Sequence, residues 1–397
     1  MNTETSKKDP RDVFPIFSRS KYHSTAKRIR RALKSNQSPE DKDIDIVENW
    51  RASHRHILNV WQVILRKRAT NTDIVFAQRL KRKNTILNKL CREPNMSLVR
   101  MHDIAGCRVI FKNYDDMVRY INSLHSSNKL KHYLTNEYNY VEKPHPKNSG
   151  YRGIHDEYEY FSRKASDRSD RWDGLFLEIQ YRTIFQHAWA TAVEVADMIT
   201  GETVKFNNDK NDDQTEFFRI TSEIIARVYE GQHSCYPDVP NIDLANKFDY
   251  IEKKIGLLNR LKQVKLIFPK SRNWKKCIIL HFKGDHKKLT LDILPFNKFS
   301  KANEQYFKLE KQYPKDDIVL VRTDDSSIGQ TIRNAFRNYF ADTKDFIDYV
   351  ESGIRCLRGE TIIEPTSATE KLNPPPIKKK NKDVSNHLEQ LELFPIR

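Results

Sequence analysis

The sequence has little of what would mark it for export or for a membrane. Its 397 residues include five cysteines, Cys91, Cys107, Cys235, Cys277 and Cys356, which lie far apart with no CxxC pair. Neither a disulfide framework nor a zinc site is expected, and reduced thiols suit a cytoplasmic protein. No apolar run approaches the ~20 residues that a membrane helix needs. The first 31 residues are polar and basic and have no apolar signal core. No internal repeat is visible. What the chain does have is positive charge: 70 Lys and Arg against 53 Asp and Glu, a formal net charge of +17. An excess of that size fits a polyanionic partner, nucleotide or RNA, although solubility alone is the bland alternative.

The pattern divides the chain into an irregular N-terminal segment (1–40), a main domain (41–235), a helical connector (236–268), a small α+β unit (269–360) and a disordered basic and Pro-rich tail (361–397). Trp50, Ile57, Trp61 and Ile64 recur at helical spacing between Asp43 and Ala69. Arg51, His54 and Arg55 then fall on a solvated basic face of that helix, with a phosphate or RNA contact as the alternative. A second helix is expected over 74–90. Ala105 to Phe111 alternate as a strand, Asp115 to Leu124 follow as a helix, and 133–141 and 155–162 are extended. Beyond the turn at Asp173-Gly174, Leu175, Leu177, Ile179 and Tyr181 alternate with Phe176, Glu178 and Gln180. The first set faces a core; Glu178 and Gln180 share the opposite face. Helices follow over 183–199, 215–229 and 242–266. A hairpin around Gly284-Asp285, a helix over 300–312, a strand over 318–322 and a helix over 328–338 complete the small unit. The tail carries Pro374-Pro375-Pro376 and Lys378-Lys379-Lys380.

Chemistry concentrates in three segments. Asp103 precedes one strand and Glu178 lies within another, so neighbouring strands would let both carboxylates hold one Mg²⁺. Taken singly, Asp103 could cap a strand edge and Glu178 could be a surface charge. Arg79, Lys81, Arg82, Lys83 and Lys89 form a cationic cluster, and Arg108 projects from the Asp103 strand. Guanidinium groups stack on bases as well as pairing with phosphates. In the loop from Lys143 to Tyr151, Pro144 and Pro146 stiffen the backbone, Gly150 frees it, and Tyr151 is presented to stack on a base. His155, four residues on, is placed for a ribose hydroxyl or a phosphate, or is a hydrogen-bonded core histidine. This inventory suits phosphoryl or pyrophosphoryl transfer, where catalysis is mostly positioning and charge neutralisation.

The order of Arg79-Leu80-Lys81, Lys89-Leu90, Asp103-Ile104-Ala105-Gly106-Cys107-Arg108, Gly150-Tyr151-Arg152-Gly153-Ile154-His155, Glu178-Ile179-Gln180-Tyr181-Arg182-Thr183 and His187-Ala188-Trp189-Ala190 resembles the RelA/SpoT synthetase domain, over roughly residues 45–230. The resemblance implies an α+β fold with a nucleotidyltransferase-like mixed sheet flanked by helices. It implies an ATP-dependent pyrophosphokinase that moves the β,γ-pyrophosphate of ATP to a ribose 3′-hydroxyl. By position, Asp103 and Glu178 match the carboxylates that hold Mg²⁺, and Glu178 also assists the hydroxyl. Arg79 and Arg108 match the arginines around adenine, and Lys81 and Lys89 match phosphate contacts. Tyr151 matches the aromatic on the acceptor base, with Lys147, His155, Gln180 and Arg182 on the acceptor side. The segment between Tyr140 and Tyr151 is about two residues longer than the family's usual arrangement, which blurs Lys147 against Lys143. The hydrolase domain of the long bifunctional members is not expected in the short N-terminal segment, so the chain resembles the short synthetase-only type. GTP or GDP is the expected acceptor. Toxic relatives use the 3′ CCA end of tRNA instead, and a catalytically inactive nucleotide- or RNA-binding module is a further alternative. A neutralising protein partner and a homo-oligomer are left open.

Overall fold

The computed structural model describes residues 13–69, 74–142, 148–162, 169–200, 213–262, 277–285, 288–313, 317–322 and 342–363. The tail beyond residue 363 and the helix expected over 328–338 lie outside the described residues. Helix α1 (Arg19–Lys34) corrects the expected irregular start: Tyr22, Ala26 and Ile29 recur at helical spacing among basic residues and are fully buried. Ser18 caps it by accepting a hydrogen bond from the Lys21 amide at 3.2 Å. Helix α2 (Asp41–Arg68) carries Asp41 and Asp43 in its first turn and Arg66, Lys67 and Arg68 in its last, the arrangement a helix dipole favours.

The expected helix over 74–90 proves to be two elements. Strand β1 (Val75–Leu80) is the edge of a sheet, and only Lys83–Arg92 is helical, as α3. The basic run hid the strand, because an edge strand with one covered face tolerates charge on the other. Strand β2 (Ala105–Phe111), helix α4 (Tyr114–His125), strands β3 (Tyr133–Asn139) and β4 (Ile154–Glu159), and strand β5 (Phe176–Thr183) follow. They form a five-stranded mixed sheet in the order β1-β2-β5-β4-β3, with β2 and β5 parallel and the other pairs antiparallel. One face of this sheet is apolar. Ala105, Cys107, Val109, Ile154, Tyr158, Leu177, Ile179 and Tyr181 are buried in a core shared with α1 to α4, in which Trp61 packs on Tyr158 with ring centroids 4.4 Å apart.

A second core joins α5 (Ile184–Thr200), α6 (Asp213–Glu230), α7 (Asn241–Ile255) and α8 (Leu257–Lys262). The expected single helix over 242–266 breaks at Gly256, whose φ of +60° is a left-handed C-cap. The span drawn as a connector, 236–268, therefore includes core helices: Leu244, Phe248, Ile251, Leu258 and Leu261 are buried. Beyond it, β6 (Cys277–Asp285), β7 (Lys288–Phe296) and β8 (Asp317–Arg322) form a three-stranded antiparallel sheet, β7-β6-β8, with α9 (Phe299–Gln312) packed against it. Gly284 and Asp285, read as the hairpin turn, are paired within the ladder to Leu289 and Lys288. Helix α10 (Asp342–Leu357), inside the span 269–360, places Phe346, Ile347, Val350, Ile354 and Leu357 in the second core rather than on this sheet.

Arg51 and His54 also depart from expectation. Neither lies on a solvated face: Arg51 is 0% exposed and His54 1%. Arg51 Nε donates to the Lys81 carbonyl at 2.7 Å and Nη2 to the Tyr306 hydroxyl at 3.3 Å, which ties α2 to the end of β1 and to α9. Among the described residues no helix is long and apolar enough to cross a membrane.

Candidate active site

The face of the central sheet opposite the first core is polar, and strand alternation puts the chemistry there. In β5 the odd positions Leu177, Ile179 and Tyr181 point into the core, so Glu178, Gln180 and Arg182 emerge on the other side. The β2–β5 register sets Gly106 beside Glu178 and Arg108 beside Gln180; the β4–β5 register sets His155 beside Gln180. Arg79 of β1 pairs with Gly106, which places Arg79 and Arg108 diagonally on the same face.

Asp103 sits just before β2. Its carboxylate accepts from Lys81 Nζ at 2.5 Å and from Lys89 Nζ at 3.3 Å, so the turn after β1 and helix α3 converge on it. Burial pushes its pKa up, but Lys81 and Lys89 outweigh that and hold it below the ordinary value; Glu178 is near enough to push the other way. Burial lowers the Lys81 ammonium, against the pull of Asp103. For Glu178, burial is likewise outweighed, here by the His155 ring, Gln180 and Lys81, and the carboxyl is held far below the usual range. Both carboxylates are thus ionised at neutral pH.

Five side chains close a hydrogen-bonded ring next to that pair. The Tyr151 hydroxyl is bonded to His155 Nε2, and His155 Nδ1 lies 2.9 Å from Glu178 Oε1. Glu178 Oε2 accepts from Gln180 Nε2 at 2.8 Å, and Gln180 Oε1 accepts from Arg182 Nη2 at 3.1 Å. Arg182 Nε returns to the Tyr151 hydroxyl at 3.2 Å, and its guanidinium lies 5.1 Å from the centre of the Tyr151 ring. Burial would raise the Tyr151 phenol, but Arg182 and His155 outweigh it and bring its pKa down to about 7. Burial would lower His155, but Tyr151 and Glu178 outweigh it and push it up to about 9. The ring therefore favours a phenolate between two cations and an imidazolium between two anions.

The loop holding Tyr151 is fixed from behind. Gly150 has φ +86°, and a Cβ there would lie 3.0 Å from the Phe218 carbonyl oxygen and from Ser222 Cβ, so α6 leaves room for glycine alone. Ser222 Oγ donates to the Gly150 carbonyl at 2.6 Å. Arg152 turns inward and pairs with Glu230 and Gln232. Glu230 is completely buried and also accepts from Thr183 Oγ1 at 2.6 Å and Gln186 Nε2 at 3.1 Å.

The structure thus brings together Asp103, Glu178, Lys81, Lys89, Tyr151, His155, Gln180 and Arg182, with Arg79 and Arg108 on the same sheet face; Lys147 lies outside the described residues. Sequence reasoning missed two features. Tyr138 and Tyr140 stack with rings 1° from parallel, and Tyr140 meets Tyr151 and His155 edge-on. The Tyr138-x-Tyr140 alternation in an extended segment was the available signal. Arg152 was read only as part of a motif, and no sequence signal links it to Glu230, 78 residues away.

Residues 78–198 match the family described as a region found in RelA / SpoT proteins. Among solved structures, the chain is similar to small alarmone synthetase 1 from Bacillus subtilis bound to its product pppGpp, at 19% identity over 51% of this chain and 94% of that one, with a TM-score of 0.36. It is similar to small alarmone synthetase 2 from Bacillus subtilis at 24% identity, over 47% and 92% of the two chains, with a TM-score of 0.36. A chain of the complex between the Type VI effector Tas1 and its immunity protein aligns over 78% of this chain and 97% of its own, at 12% identity and a TM-score of 0.25. No curated protein matches the chain.

Proposed function

We propose that this chain, which carries a RelA/SpoT-type region at residues 78–198, transfers the β,γ-pyrophosphate of ATP to the ribose 3′-hydroxyl of GTP or GDP. The observation that carries the reading is the pairing of two ionised carboxylates, Asp103 and Glu178, with lysines on one side and the Tyr151 ring system on the other.

Each part has work to do in such a transfer. Arg79 and Arg108 flank the donor base. Lys81 and Lys89, which both pair with Asp103, would take the donor phosphates. Asp103 and Glu178 fit Mg²⁺, being hard oxygen donors kept charged and close enough to feel one another. When bound, the ion would neutralise charge on the phosphate oxygens. Tyr151 offers its ring face to the acceptor base, and the hydrogen-bonded ring fixes the tilt of that face. A largely dissociative transfer asks little of a base, so Glu178 need only orient the hydroxyl by accepting its hydrogen bond. Its strongly depressed pKa suits that role better than stoichiometric proton removal.

Purified protein incubated with γ-labelled ATP and Mg²⁺, offered GDP, GTP or bulk tRNA in turn, tests the reading. Label on a guanosine tetra- or pentaphosphate is the expected outcome. Label on tRNA alone would move the acceptor to the CCA end, and no transfer to any acceptor would remove the enzymatic reading.

A further inference from the structure

The apolar face of the central sheet contains a polar cluster that the proposed transfer does not use. Asp156, in β4, points away from the reaction face into the first core and is completely buried. Its Oδ2 accepts from His125, whose Nε2 is 2.7 Å away at the end of α4, and from the Tyr181 hydroxyl at 2.9 Å. Glu137 of β3 is its direct cross-strand partner. His125 Nδ1 lies 3.9 Å from Glu137 Oε2. One ligand atom from each of the three residues falls within 4.8 Å of the others.

Two carboxylates directly opposite on paired strands repel one another, and here one of them has no access to water. A single histidine carries at most one positive charge, so it cannot offset two ionised carboxylates. Asp156 Oδ1, buried in the same place, has no well-formed hydrogen bond; the nearby Tyr158 hydroxyl interacts with Asp156 but does not reach good hydrogen-bond geometry with it. An orphaned, fully buried carboxylate oxygen is costly, and a bound cation is one way to satisfy it.

We propose that His125, Glu137 and Asp156 form a binding site for a divalent transition-metal ion of the zinc class, on the side of the sheet remote from the transfer chemistry. One imidazole nitrogen and two carboxylate oxygens are a mixed set suited to Zn²⁺, which takes such ligands at roughly 2.0–2.2 Å. The three residues come from α4, β3 and β4, so an ion would clamp that helix to the sheet. Asp156 directly follows His155, and Tyr181 lies between Gln180 and Arg182, so the clamp would also hold the strands that display the reaction face.

Full-length protein stripped of metal and titrated with Zn²⁺ by calorimetry tests this, with millimolar Mg²⁺ present and no nucleotide. About one equivalent should bind and raise the melting temperature. Glu137→Gln, on the exposed strand β3 and thus least disruptive to folding, should weaken binding at least tenfold, and His125→Gln should do the same. Asp103→Asn should leave binding unchanged. The proposal fails if no zinc binds, if Glu137→Gln binds as well as the wild type, or if Asp103→Asn abolishes binding, which would place the ion at the other carboxylate pair. None of these readouts involves turnover, so they stand apart from the fate of the proposed reaction.

Discussion

Replacing Arg152 by methionine should damage the protein more than any change at an exposed cation, and the structure sets the size. Arg152 is 3% exposed and Glu230 0%, and the two form an ion pair beneath the Tyr151 loop. Removing the guanidinium leaves Glu230 with its hydrogen bonds from Thr183 and Gln186 but with its charge uncompensated. Breaking one side of a buried pair costs about 3–5 kcal/mol. Against a total stability of roughly 5–15 kcal/mol, that is a large share. Arg152→Met/Glu230→Gln removes the stranded charge, so the double variant should recover much of the loss and the cycle should show coupling of about 2 kcal/mol or more. Urea denaturation of the four proteins gives these numbers. Any folded single variant should also bind acceptor less well than ATP, relative to wild type, because Tyr151 has lost its anchor. A single-variant cost below about 1 kcal/mol, or strict additivity, would refute the claim that Arg152 and Glu230 act as a buried pair.

Asp103→Asn should abolish transfer while the protein stays folded, since its charge meets Lys81 and Lys89 and is proposed to meet a metal rather than serving the packing; near-normal turnover in a pyrophosphoryl-transfer assay would remove it from the reaction. Tyr151→Ala should weaken acceptor binding by about 1–3 kcal/mol, the worth of stacking on one base, and ATP binding by much less; equal losses in separate titrations would make the residue structural. His155 should titrate near pH 9 by NMR, and in Tyr151→Phe its pKa should fall, because the phenolate is a leading cause of the rise. With a folded value above the ordinary 6.5, its stabilising contribution is complete below pH 6.5 and is lost as pH climbs through about 9. The Tyr151 contribution runs oppositely, complete above pH 10 and lost as pH falls through about 7. An unchanged His155 titration in Tyr151→Phe would break the proposed link. Truncation before Asp342 should prevent folding, since it strips five buried side chains from the second core, each worth about 1.5–3 kcal/mol; soluble, cooperative protein would contradict this.

Most of the reaction face was legible because strand alternation is a strict period of two. Once Leu177, Ile179 and Tyr181 were assigned inward, Glu178 and Gln180 had to share the outer face. What escaped were pairings set by distant chain segments. Arg51 and Lys83 look alike on paper, yet Arg51 is sealed between a carbonyl and a tyrosine hydroxyl from 255 residues later, whereas Lys83 is partly exposed near Glu48. Basic residues also obscured two elements. Helix α1 hides its apolar stripe among cations, and β1 carries Arg79 on its open face. Asp156 was unreadable for the opposite reason: alternation placed it inward, where a carboxylate is least expected.

The segment that carries the family likeness is not a body that could stand alone. It begins within β1, at position 78, and stops inside α5, at position 198. Cut out at those limits, the sheet would lose Trp50, Ile57 and Trp61 from beneath its apolar face, and α5 would lose Phe217, Phe218, Phe346 and Val350 from its side. Both halves would present bare, greasy surfaces and should clump rather than catalyse. The stretch that carries the likeness and the smallest autonomous body that contains it are therefore different lengths of chain. Helices on either side of that segment decide whether it folds.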